Sequence, residues 1–142
     1  EFDQFEGDTA HMLRYGLASW WDRIGNTLAG GLTKLVFSES KNFPDVATYY
    51  REHVLASAQA LLHKVLQRGV DRGEFEAIDV HMAALSLMSA MQFVLMWRHA
   101  MSGTGPGPDF DPRGFLMAHL ETVLRGWTVP ATTQTKESHE DQ

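Results

Sequence analysis

Asp79-Val80-His81-Met82-Ala83-Ala84-Leu85-Ser86-Leu87-Met88-Ser89-Ala90-Met91-Gln92-Phe93-Val94-Leu95-Met96-Trp97-Arg98 decides the reading of this chain. Between its two charged ends lie 18 residues without a full charge. That is the lower limit of a membrane-spanning helix. His81, Ser86, Ser89 and Gln92 interrupt the run, so a helix enclosed on all sides by protein explains it better. A helical wheel divides it into two apolar faces. Met82, Leu85, Ser86, Ser89, Gln92, Phe93 and Met96 share one; Ala84, Leu87, Met91, Val94 and Leu95 lie roughly opposite. One face can meet the domain's own core, and the other asks for a partner, most simply a second copy.

Working outward, helical periodicity dominates and strand alternation is nearly absent. Asp8 is placed to cap a first helix carrying Leu13, Leu17, Trp20, Trp21 and Ile24, which Gly25-Asn26 ends. Thr27 is placed to cap a second with Leu28, Leu32, Leu35 and Val36. Gly30-Gly31 inside it costs about 1 kcal/mol per glycine, tolerable where elements approach closely or the helix bends. Pro44 suits the first turn of a third helix reaching about Arg72, with Gly73 as its left-handed stop. Its inward stripe is Val46, Tyr50, His53 or Val54, Ser57, Leu61 and Val65. Asp79 caps the fourth helix, to about Met101. Ser102 to Pro108 reads as a flexible loop. Asp111-Pro112 opens a fifth helix with Leu116, Leu120, Val123, Leu124 and Trp127. Residues 128–142 read as a disordered tail. The fold class is all-α, a five-helix bundle over residues 1–127.

Composition narrows the function. The 142 residues are 44% hydrophobic and 21% charged, the balance of one soluble, cytoplasmic domain. Cysteine is absent, which excludes disulfides, thiolate zinc sites and a cysteine nucleophile. Net charge is −6, without the basic stripe that grips phosphates. The first residues are no signal peptide, and without an initiator Met the chain reads as a piece of a longer one. Two imidazoles on one helical face need a separation of three or four, and no two of the seven histidines have it. Asp8 and His11 stand at helical spacing, but in a first turn where an acid is expected anyway. There is no Gly-x-Ser-x-Gly elbow. Gly103-Thr104-Gly105-Pro106-Gly107 has neither the preceding strand nor the Lys-Ser/Thr of a phosphate loop. No catalytic site, metal or cofactor is expected.

Lys34-Leu35-Val36-Phe37-Ser38-Glu39-Ser40, then Asn42-Phe43-Pro44-Asp45 and Tyr49-Tyr50, closely resemble the C-terminal half of TetR-family transcriptional repressors. Arg68-Gly69-Val70-Asp71-Arg72-Gly73-Glu74-Phe75 resembles that family's turn between two long helices. Trp97-Arg98-His99 and Leu124-Arg125-Gly126-Trp127 fit as well. The resemblance covers roughly Thr27 to Trp127. It implies an Ω-shaped homodimer joined by the last two helices of each subunit in a four-helix interface. It also implies an inducer pocket among the preceding helices. The N-terminal helix-turn-helix of such repressors is not in this sequence, so the chain reads as the ligand-binding and dimerising half. DNA would then be a partner only through that missing domain.

On this reading Leu87, Met91 and Val94 with Leu116, Leu120 and Leu124 form the dimer seam. Trp20, Trp21, Tyr50, His53, Ser89, Gln92, Phe93 and Met96 line the pocket. These residue types favour a lipophilic, aromatic inducer over a phosphate or sugar, since no Lys or Arg shares their stripes. A stand-alone helical dimer with a structural or protein-interaction role is the alternative, and a small helical enzyme or metalloprotein the third reading.

Overall fold

The computed structural model describes residues 4–101 and 110–130. Helix α1, Thr9–Trp20, is capped by Asp8, whose carboxylate accepts from the His11 N–H at 2.7 Å. A π-helical turn, Trp21–Gly25, prolongs it to Asn26. Helix α2 spans Leu28–Glu39. Thr27 stands at its N-cap but does not cap it: its hydroxyl donates backwards to the Ile24 carbonyl at 2.7 Å.

Helix α3, Pro44–Tyr50, passes through a second π turn, Arg51–Leu55, into α4, Ala56–Asp71. Arg51, Leu55 and Ala56 all keep right-handed helical backbone, so the three pieces form one rod. Gly73 ends it with φ of +71°, which only glycine adopts freely. The π turn explains the first difference from the expected stripe. It holds up to one residue more per turn than an α-helix, so the inward positions just after it fall one residue late, while Val65 is buried as expected. Ala58 and Leu62 point inward where Ser57 and Leu61 were expected, and Leu61 is more than half exposed.

Helix α5, Val80–Ala100, is the long apolar stretch. The Asp79 carboxylate accepts from the Met82 N–H at 3.1 Å. By length and composition alone α5 passes as a membrane span; here it packs against α2, α4 and α6 as the core helix. Helix α6, Pro112–Trp127, starts with proline in its first turn. Phe75 and Thr128 then form an isolated antiparallel bridge, and the Val129 N–H donates to the Glu74 carbonyl at 3.0 Å. Thr128 and Val129, expected in a tail, are therefore tied to the α4–α5 turn. The Gly103–Gly107 loop and residues 131–142 lie outside the described residues.

The core is built by Leu13, Leu17 and Trp21 from the α1 segment, Val65 and Leu66 from α4, and Leu116, Leu120 and Leu124 from α6. All close on Ala84, Leu87, Met91, Val94 and Leu95 of α5. Each fully buried aliphatic side chain contributes about 1.5–3 kcal/mol. Helix α2 reaches this core through Gly30 and Thr33, not through its leucines; Leu28 is 94% exposed. The described residues form an all-α bundle of five helical rods.

Candidate ligand cavity

At the end of the bundle away from Asp8, the helices frame a half-open cavity of about 490 Å³, whose lining residues Leu32, Leu35, Val46 and Tyr49 are more than half exposed. Helix α2 makes one wall. A Cβ at Gly30 would collide with the Gly25 carbonyl and stand 2.9 Å from Leu95 Cδ2, so glycine is what lets α2 come this close to α5. Three residues on, Thr33 is buried, and its hydroxyl shares a 2.5 Å hydrogen bond with the Tyr50 hydroxyl of α3. The rod from α3 to α4 adds Tyr49, Val54, Leu55 and Ala58, α1 adds Trp20, and α5 adds Met88, Met91, Gln92 and Leu95.

The chemistry of the wall is uniform. None of the lining side chains among the described residues carries a charge, and most are aliphatic, aromatic or methionine. Such walls suit lipophilic ligands, with a few polar groups to orient them. The polar groups here are Thr33, the two tyrosines and Gln92. The Thr33 and Tyr50 hydroxyls share one hydrogen bond, whereas Gln92 Oε1 is buried without a hydrogen-bond partner. A second depression, of about 510 Å³, lies on the outer surface of α4 between Lys64, Arg68, Asp71 and Arg72. It is open and charged, and offers a lipophilic molecule no enclosure.

Trp20, Tyr50 and Gln92 of the expected pocket residues meet in the cavity. Trp21 lies beside it in the core, 4% exposed. His53 points outward and packs on Tyr49 with ring centres 4.2 Å apart, and its neighbour Val54 takes the inward position. Ser89 is exposed, its hydroxyl donating to the Ser86 carbonyl at 2.7 Å. Phe93 is 43% exposed and belongs to an outer aromatic group with Trp97, Phe110 and Phe115. Met96 is half-buried and off the cavity wall. Met88, Leu95 and Thr33 were missed; Thr33 stands three residues after Gly30, on the same face of α2.

The six residues expected in the dimer seam are placed just as clearly. Leu87, Met91, Val94, Leu116, Leu120 and Leu124 are all buried inside this chain's own core, and Met91 also touches the cavity. The side of α5 expected in the seam is thus taken up by the chain's own core, Ser89 and Phe93 of the expected pocket side face outward, and Gln92 keeps its place on the cavity wall. Ser86 and Ser89 fall toward the outer side, where the Ser89 hydroxyl donates to the Ser86 carbonyl, while the wholly apolar Leu87 and Val94 pack inside at no desolvation cost. What α5 and α6 leave outside is Met82, Leu85, Phe93 and Phe115, each at least 40% exposed, with Ser86 3.5 Å from His119 between the two helices.

Among the described residues no group of three or more His, Asp or Glu could hold a metal ion. The family model described as tetracyclin repressor-like, C-terminal domain, matches residues 5–111. No curated protein and no solved structure matches the chain. With a helical bundle in the expected order and a match over most of its length, the chain belongs to the family of tetracyclin repressor-like C-terminal domains.

Proposed function

We propose that this chain is the small-molecule-sensing and homodimerising half of a TetR-like transcriptional regulator, without a catalytic role of its own. The observation that carries the reading is the charge-free cavity of about 490 Å³ between α1, α2, the α3–α4 rod and α5. Its size falls among ordinary small-molecule sites. A second copy of the chain covers the outer face of α5 and α6 at Met82, Leu85, Phe93 and Phe115. This exposed row supports a two-fold partner because the outer face of a helix in an isolated domain is ordinarily polar.

One helix then serves both tasks. Met88, Met91, Gln92 and Leu95 of α5 face the cavity, while Leu85, Ser89 and Phe93 face outward. A ligand that prefers one placement of α5 biases the geometry of the dimer by its differential affinity. With a helix-turn-helix supplied outside residues 1–142, that geometry sets the spacing of two DNA-reading helices against operator half-sites. Operator release in the cytoplasm is the resulting output.

The test is saturable binding of the neutral lipophilic dye Nile red to the chain and to Ala58→Trp, which sets an indole in the cavity. One site per chain that the substitution removes supports the reading. Saturable binding untouched by Ala58→Trp places the ligand site elsewhere.

A further inference from the structure

We infer that the ligand is an elongated, chain-like lipophilic molecule about as long as a dodecyl chain. Its outer part leaves the cavity over Leu35 and Val46 and lies in a groove against Phe43. The inference rests on the cavity being the ligand site, and adds the ligand's shape. A separate depression of about 240 Å³ is lined by Leu35, Val36, Glu39, Phe43 and Val46. Leu35, Val36 and Val46 line the cavity as well. Cavity and groove are thus consecutive reaches of one trough between α2 and α3, running toward the connection that joins the two helices.

The trough has a length and an end. The cavity-lining residues of α2 run from Ala29 to Val36, about 10 Å at 1.5 Å per residue, and Glu39 carries the wall to about 15 Å. Those are the extended lengths of an octyl and a dodecyl chain. Glu39 is the first charged side chain the trough meets among the described residues, so its apolar lining stops there. Local bonds hold the groove in shape: the Phe43 N–H donates to the Glu39 carbonyl at 2.8 Å, and Asn42 Nδ2 donates to Glu39 Oε2 at 3.0 Å. Phe43 and Val46 are both more than half exposed, apolar side chains where a helix surface is ordinarily polar. A compact ligand confined to the cavity leaves that surface wet. An elongated one covers it and takes its own outer methylenes out of water as well.

Displacement of Nile red from the full 142-residue chain by 1-octanol and by 1-dodecanol reads the length. Each methylene half-buried in the groove tightens binding about twofold, so dodecanol should bind about fifteenfold more tightly than octanol. Phe43→Ser removes the groove wall at the N-cap of α3, where serine is a favoured residue, so the circular dichroism spectrum should not change. It should weaken dodecanol about fivefold and octanol less than about twofold. Ala58→Trp, inside the cavity and outside the groove, should weaken both alcohols. Dodecanol binding no tighter than octanol overturns the inference and leaves the cavity reading standing. Dodecanol binding that Phe43→Ser leaves unchanged, or an equal loss for both alcohols, does the same. Nile red that Ala58→Trp removes but neither alcohol displaces also overturns the inference alone. Nile red binding untouched by Ala58→Trp overturns the cavity reading with it. The comparison of the two alcohols on the unmodified chain needs no variant, so it can overturn the inference whatever Phe43→Ser does to the fold.

Discussion

Gly30 of α2 and His99 of α5 touch with no room for a methyl group between them: a Cβ at position 30 would stand 2.8 Å from His99 Nε2. That nitrogen donates to the Gly25 carbonyl at 2.8 Å, the same carbonyl a Cβ at Gly30 would strike. Neither neighbour can yield without breaking the hydrogen bond. Gly30→Ala should therefore destabilise the fold by about 1–3 kcal/mol and loosen the cavity wall. At Gly31 the nearest atom to a Cβ is 3.4 Å away, an ordinary contact. Gly31→Ala should be neutral or gain up to about 1 kcal/mol of helix propensity. Urea unfolding of the two variants checks the contrast.

The two faces of α5 separate by a pair of acidic substitutions. Met91 is 8% exposed within the chain, so Met91→Glu buries an unpaired carboxylate, costs several kcal/mol and unfolds the domain. Phe93 lies on the outer face, so Phe93→Glu should leave the circular dichroism spectrum intact and turn dimer to monomer in sedimentation velocity. A folded dimer carrying Phe93→Glu would put the interface elsewhere.

Arg68 holds the chain's entry into the bundle. Its guanidinium donates to Thr9 Oγ1 at 2.6 Å, to the Gly7 carbonyl at 2.8 Å and to the Phe5 carbonyl at 3.3 Å. Arg68→Met keeps most of the aliphatic stem and loses all three charge-assisted bonds, at a cost of about 2 kcal/mol. Hydrogen exchange should accelerate in the first turn of α1 well before it does in α5.

Arg14 and Glu121 join α1 to α6 at 2.6 Å. The hydrogen bond from Arg14 holds the Glu121 carboxyl below its usual value near 4.5. A carboxyl whose folded pKa is depressed stabilises the fold above the unfolded value and loses that contribution as pH falls through the folded one. Both side chains are more than two-fifths exposed, so solvent screening keeps the effect below about 1 kcal/mol. Glu121→Gln should flatten the fall in melting temperature between about pH 5 and pH 3, and 0.5 M salt should erase the difference from the unmodified chain.

The sequence by itself determined where helices begin and stop. Asp8 and Asp79 cap through their own carboxylates, Pro44 and Pro112 sit in first turns, and Gly73 takes the left-handed stop. Each of these depends on atoms within one helical turn, so a local reading suffices. The two-faced character of α5 was equally legible, since it needs only the order of its side chains. Which face turned inward was not. Tertiary packing seated Leu87, Met91 and Val94 against α4 and α6, and left Phe93 outside. The cavity followed the same division. Trp20, Tyr50 and Gln92 keep helical register with the core and reach it, whereas at the Arg51–Leu55 turn Val54 lines the cavity and His53 faces out. Helix α2 buries Gly30 and Thr33 and exposes Leu28 because α5 accepts only a smooth surface at His99 and Leu95. A cap is a bargain between neighbours in the chain; the choice of a face is settled by helices far apart in sequence, through the volume each leaves for the other.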